Sequence, residues 1–214
     1  MRIVIAGGHG QIALLLERDL AEAGHTAVGL IRKPEQVPDV EATGAEAVVL
    51  DLESADVDAV AKVLQGADAA VFAAGAGPGS GAARKDTVDR GSAVLLADAA
   101  ERAGVRRFLQ ISGIGVDTPP TSGDEVWAAY IAAKAAAEDD LRARDLDWLI
   151  LRPGGLTNDP GTGRVTLADH TGRATVPRAD VAAVITALLT AGIARRTLEL
   201  VGGDTPIGQA VQDL

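Results

Sequence analysis

The chain contains no cysteine, which excludes disulfides, thiolate catalysis and zinc sites built on cysteine, and fits a reducing compartment. It also lacks any block of Lys or Arg longer than a pair, and it carries a net charge of -10 with a pI near 4.7. A nucleic-acid backbone or an anionic bilayer would be repelled overall, so neither is an expected partner. No apolar stretch approaches the roughly 18 residues of a membrane helix, and the first apolar run is too short for a signal peptide. The expected location is the cytoplasm. His9, His25 and His170 stand far apart without metal-ligand spacing, so each reads as a structural or surface residue and no metal is expected.

What remains is a chain of 214 residues in which short Val/Ile/Leu-rich runs alternate with longer Ala-rich segments of helical period. That length suits a single domain over 1–214 with a full hydrophobic core. The alternation predicts an α/β fold, a doubly wound and mostly parallel sheet with helices on both faces. Strands are expected at about 2–6, 26–31, 46–50, 68–74, 106–111, 147–152 and 197–201. In such sheets ligands lie beyond the carboxyl ends of the strands, near the switch in strand order. The stretch 154–177 is rich in Gly, Thr, Asp and Pro and reads as loops forming a small substrate or lid segment. A short closing helix is expected in TPIGQAVQDL.

Residues 2–13, RIVIAGGHGQIA, run from a buried strand through closely spaced glycines straight into a helical pattern. This is the grammar of a dinucleotide-binding turn, because a pyrophosphate needs backbone N–H groups and a helix N-terminus without side chains in the way. Gly7 would make the tight turn, Gly8 or Gly10 would let the backbone approach the phosphates, and Ala13 would take the small position where helix packs on strand. The candidate contacts are Gly7, Gly8, His9, Gly10, Gln11 and Ile12. Arg32 and Lys33 follow the second strand, where enzymes preferring NAD usually place a carboxylate for the ribose 2'-hydroxyl. Two cations there favour a 2'-phosphate, hence NADP(H) over NAD(H). Asp51 and Leu52 after the third strand are candidates for the adenine edge. Ala73, Ala74 and Gly75 after the fourth are small enough for the cofactor to pass.

The catalytic signal is Tyr130, the single tyrosine, with Lys134 four residues on in a chain that holds four lysines. The segment from Gly123 to Leu146 reads as helix throughout, so this spacing puts both side chains on one face, with Val126 and Leu141. A lysine on such a face is costly unless its charge is used. An ammonium beside a phenol would lower the phenol pKa toward a value useful in acid–base catalysis, and it could also bind the nicotinamide ribose. The bland counterpart is a packed tyrosine with a snorkelling lysine. Arg152 reads as reaching solvent or pairing with a carboxylate, Asp180 as an N-cap or first-turn acid, and Trp127 and Trp148 as core or pocket wall.

Taken together, GGHGQIA, AAGAG, KDTVDRG, GVRRFLQISGIG, YIAAK, LDWLILRPGGLT and RADVAAVI resemble the short-chain dehydrogenase/reductase superfamily. The resemblance is to its atypical branch of compact, NmrA-like NAD(P)H-binding proteins, and it covers nearly the whole chain. It implies Tyr130 as the acid–base residue, Lys134 as its partner, and Ser112 as a substrate hydrogen-bond donor. It also implies that Pro153 and Gly154 line the nicotinamide pocket. The chain departs from the pattern at Gly113, where relatives commonly carry a second serine. The short region after Arg152 disfavours nucleotide-sugar epimerisation.

The expected function is an NADP-dependent oxidoreductase passing hydride between NADPH and a small carbonyl, quinone or similar acceptor. Tyr130 would supply the proton and Ser112 would help place the oxygen. The alternative, which the resemblance also allows, is a non-catalytic NADP(H)-binding redox sensor. Substrate specificity is expected from 154–177 and from GPGSGAARKD, and the chain is expected to work as a monomer or a homodimer with a small-molecule substrate.

Overall fold

The computed structural model describes residues 1–77, 79–118 and 125–214. In chain order its elements are β1 (Arg2–Ala6), α1 (Gln11–Glu22), β2 (Thr26–Ile31), α2 (Val37–Glu41), β3 (Glu46–Val49), α3 (Val57–Leu64) and β4 (Ala69–Phe72). There follow α4 (Ala82–Arg84), a π-helical segment (Lys85–Ser92), α5 (Ala93–Ala103), β5 (Arg107–Ile111), α6 (Glu125–Arg142) and β6 (Asp147–Pro153). The chain closes with β7 (Gly155–Thr157), β8 (Arg164–Ala168), β9 (Thr175–Pro177), α7 (Arg178–Ala191), β10 (Arg196–Gly202), β11 (Thr205–Pro206) and α8 (Ile207–Gln212).

Among the described residues nine strands join one sheet in the order β11-β8-β10-β6-β5-β4-β1-β2-β3. All neighbours from β10 to β3 run parallel. Successive strand residues point to opposite faces, and this period of two sorts the core into layers. Ile3, Ile5, Val71, Leu109, Leu149 and Leu198 pack beneath α1 and α7. Val4, Val28, Phe72, Phe108 and Ile150 pack beneath α3, α5 and α6. The expected doubly wound α/β fold is therefore the fold observed. No described helix is long and apolar enough to cross a membrane.

The expectation of loops over 154–177 is corrected. β8 adds to the sheet antiparallel to β10, β11 pairs with β8, and β7 pairs with β9 in a separate two-stranded ribbon. Val165 and Leu167 of β8 are buried between exposed neighbours. That alternation is too brief and too polar to stand out in the sequence, and it acquires meaning only from β10. The closing helix expected in TPIGQAVQDL is α8. Of the long helix expected from Gly123, residues 123 and 124 lie outside the described residues, and α6 ends at Arg142 rather than Leu146.

Candidate functional site

The chain order reverses direction across the sheet between β1 and β4, and the groove opens at their carboxyl ends. Gly7 takes φ +81°, and a Cβ there would stand 2.6 Å from Ala74 Cα, so only glycine lets the two strand ends approach. Gly10 donates its N–H to Gly7 O at 2.8 Å and is the N-cap of α1 with no side chain over the helix end. The first turn of α1 holds no acid, leaving its N–H groups and positive dipole end to an anion.

Gly8 and Gly10 sit in different surroundings. A Cβ on Gly8 would meet Gly29 Cα at 2.7 Å, so Gly8 is needed for packing on β2. Beneath them sits Glu17, fully buried, whose Oε1 would be 2.5 Å from a Cβ on Gly29 and has no hydrogen-bond partner among the described residues. Burial pushes the Glu17 carboxyl up to about 8. The Thr43 hydroxyl lies 2.6 Å from Val40 O and 3.4 Å from Glu17 Oε2. The bond from the Thr43 hydroxyl to Glu17 opposes the upward push of burial without outweighing it.

The first part of the groove, about 310 Å³, is lined by Gly7, His9, Gly10, Arg32, Asp51, Leu52 and Ala73 to Ala76, among others. Most of the expected nucleotide residues thus come together. His9 faces Asp39, Nε2 to Oδ2 at 2.7 Å. Lys33, Gly8, Gln11 and Pro153 do not line the groove. Pro153 instead accepts from Ile114 N at 3.1 Å, and Gly154 donates to Leu200 O at 2.9 Å, tying β6 to its surroundings. Glu53 is among the wall residues that the sequence reading did not single out, and Arg84 enters the wall from the expected GPGSGAARKD segment. Glu53 accepts from Arg84 Nη2 at 2.5 Å and from Thr87 Oγ1 at 3.0 Å and lies 3.5 Å from Arg32. The Arg84 hydrogen bond is the main reason its carboxyl is held below the usual range.

Through Ala73, Ala74 and Gly75 the groove continues into a second cleft of about 490 Å³. Here Ile12, Ser112, Tyr130 and Lys134 meet Lys85, Asp89, Val126, Trp127 and Leu156. Of the expected specificity segments, Gly77, Gly79, Ser80 and Lys85 take part, whereas 154–177 contributes Leu156; Pro78 lies outside the described residues. Lys134 is buried and donates to Ile111 O at 3.2 Å. It ion-pairs with Asp89 at 3.3 Å, a residue 1% exposed that also accepts from Ala76 N.

The expectation that Lys134 lowers the Tyr130 pKa is corrected. Burial first, and the Asp89 charge second, push the phenol up to about 12. The physical reason is that the phenol sits in a desolvated wall and that the Asp89 carboxylate, paired with the ammonium, disfavours a second negative charge beside it. Desolvation lowers the Lys134 pKa against the opposing pull of Asp89. Ser112 Oγ is buried without a hydrogen-bond partner among the described residues. A Cβ built on Gly113 would stand 3.9 Å from Tyr130 Oη, which makes position 113 a direct neighbour of the phenol. Lys85 and Asp89 both fall in the KDTVDRG motif, but the sequence reading gave Asp89 no role of its own.

Arg152 is buried and pairs with carboxylates, Glu138 at 2.6 Å and Asp117 at 2.5 Å. Asp180 lies in the first turn of α7, but its carboxylate accepts from the Thr162 and Gly163 N–H groups and so ties down the strand approach to β8. Trp127 stacks on Tyr130 with centroids 5.3 Å apart.

Residues 7–191 match the family described as NAD(P)H-binding. The chain is 36% identical, over the full length of both proteins, to the Bacillus subtilis protein named "Uncharacterized sugar epimerase YhfK". Among solved structures it resembles one from Bacillus halodurans described as an NAD-dependent epimerase/dehydratase, with TM-score 0.93, 35% identity and full coverage of both chains. It also resembles the oxidoreductase ylbE of Lactococcus lactis, with TM-score 0.88, 31% identity, and coverage of 100% of this chain and 96% of that one.

Proposed function

The chain belongs to the NAD(P)H-binding family, and from that premise we propose that it is an NADP(H)-dependent oxidoreductase of the atypical short-chain dehydrogenase/reductase type. It reduces a small carbonyl, quinone or similar acceptor. The observation that carries this reading is the continuity of the groove: a glycine turn suited to a pyrophosphate runs directly into a cleft holding Tyr130, Lys134 and Ser112. Gly7, Gly10 and the open end of α1 would hold the pyrophosphate. Arg32 and Arg84 would take the 2'-phosphate in exchange for Glu53. When bound, the dinucleotide supplies the hydride.

The chain's own groups supply the rest. Tyr130, with its phenol pushed up to about 12, stays protonated at neutral pH and is a proton donor throughout. This favours reduction, in which an oxyanion develops on the acceptor and must be protonated. Ser112 Oγ, which has no hydrogen-bond partner among the described residues, would donate to that oxygen. Lys134 and Asp89 hold the wall around the phenol. A sensing role would leave this buried polar cluster without a use. Although two relatives bear epimerase names, the residues after β6 extend the sheet and add α7 and α8, and they contribute only Leu156 to the second cleft.

Calorimetric titration with NADPH and NADH tests the premise. Binding of NADPH in preference to NADH, lost in an Arg32→Ala/Arg84→Ala double variant, is the expected result. Preference for NADH would overturn the phosphate assignment, and absence of binding by either would overturn the function.

A further inference from the structure

Lys85 has no task in the site as described. Among the described residues no carboxylate lies within ion-pair distance of it, although the residue as a whole is only 9% exposed. Its Nζ donates to Gly77 O at 2.9 Å and stands 5.3 Å from the centroid of the Tyr130 ring. Among the described residues the second cleft therefore sets two ammonium groups, Lys85 and Lys134, against one carboxylate, Asp89. Glu138, behind Lys134, is already matched by Arg152 and Arg142. A buried ammonium without a counter-charge is costly and persists where something uses it. An ammonium has three donors, so two remain beyond the bond to Gly77.

The shape of the cleft adds a second constraint. Trp127 is 53% exposed and Leu156 37%, both on the cleft wall. Trp127 and Tyr130 lie face to face, with an interplanar angle of 28°. An exposed indole over a phenol, facing an aliphatic lip, offers stacking surface to a flat ring system. Ser112 Oγ, buried and unpartnered among the described residues, offers a further donor in the same wall.

We propose that this cleft takes a planar, conjugated acceptor that carries an anionic group of the carboxylate or sulfonate class. Its ring system lies against Trp127 and its anion on Lys85. The inference rests on the reading of the cleft as the substrate end of the groove, but binding of such a ligand is measurable without turnover. The protein's net charge of -10 disfavours anions in general, so a preference for one reports a local cation.

The test is calorimetric titration with 2-naphthoate and its neutral counterpart 2-naphthamide, with and without saturating NADPH. The wild-type protein is expected to bind naphthoate at least about ten-fold tighter. Lys85→Gln removes that preference while NADPH affinity is unchanged, and Lys85→Arg retains it. Equal affinities in the wild type, a preference that survives Lys85→Gln, or no binding of either probe overturns the proposal. The wild-type comparison stands even if Lys85→Gln fails to fold. Failure of NADPH to bind, with the naphthoate preference intact in nucleotide-free protein, overturns the cofactor assignment and not this inference.

Discussion

The two ends of the groove handle charge in opposite ways. At the first cleft Arg32, Arg84 and Glu53 form ion pairs with much of each side chain in water. At the second, Asp89 and Lys134 pair with almost no exposure. Exposed pairs are screened and contribute little, so they are easily exchanged for a ligand's phosphate. Buried pairs cannot be exchanged without leaving a bare charge, so they hold geometry. The contrast matches the division of labour proposed for them, selection of a cofactor at one end and placement of a proton donor at the other.

The contrast is broken most severely at the phenol. Tyr130→Phe should lower reductase turnover by about 10² to 10⁴-fold while leaving NADPH affinity within a factor of two or so, read by steady-state kinetics beside calorimetry. Equal turnover would remove Tyr130 from the reaction.

Asp89→Leu comes next. It leaves the Lys134 ammonium buried and unpaired, and the expected loss is about 3–5 kcal/mol of stability in urea denaturation. Asp89→Leu combined with Lys134→Met should regain much of that loss, since the pair rather than either charge is what the site tolerates. A loss no larger than that of exposed Asp58→Leu would refute the account.

Glu17 sharpens the comparison from below the glycine turn. Its folded pKa, about 8, lies above the ordinary 4.5. Between these values the folded state keeps a proton that the unfolded state has released. Stability is therefore highest at and below about pH 4.5 for this group, falls by at most about 1.4 kcal/mol per pH unit up to pH 8, and levels off beyond. Glu17→Gln should flatten that slope, seen as a Tm advantage over wild type that grows from pH 5 to pH 9. A parallel pH dependence of the two proteins would mean that Glu17 is ionised in the fold.

The smallest effect belongs to the exposed end. Glu53→Gln should tighten NADPH binding by roughly two- to five-fold at low salt by freeing Arg84 and Arg32, with the gain fading at high salt. Unchanged or weaker binding would make Glu53 a ligand of the nucleotide rather than its competitor.

Much of this site could be read along the chain. Gly7, Gly10 and Ala13 announce the turn, and the spacing of Tyr130 and Lys134 announces a shared helix face, because both signals are local and rest on fixed helical and turn geometry. The limits are equally specific. Leu156 lies in a ribbon whose pairing partner is twenty residues away, Thr175 to Pro177, and Arg84 is brought to Glu53 from the other side of β4. Neither meeting leaves a periodic trace.

Sequence by itself determined the strand-turn-helix units, the alternating apolar pattern that sorts residues between two faces, and the candidate proton donor. Those depend on backbone geometry within a few residues. Tertiary structure alone decided that Gly8 serves packing, that Arg164–Ala168 extends the sheet, and that Tyr130 is pushed up rather than down. Each of these depends on burial and on charges that approach across the fold, and desolvation and Coulomb energies are set by distance in space, which chain order does not encode.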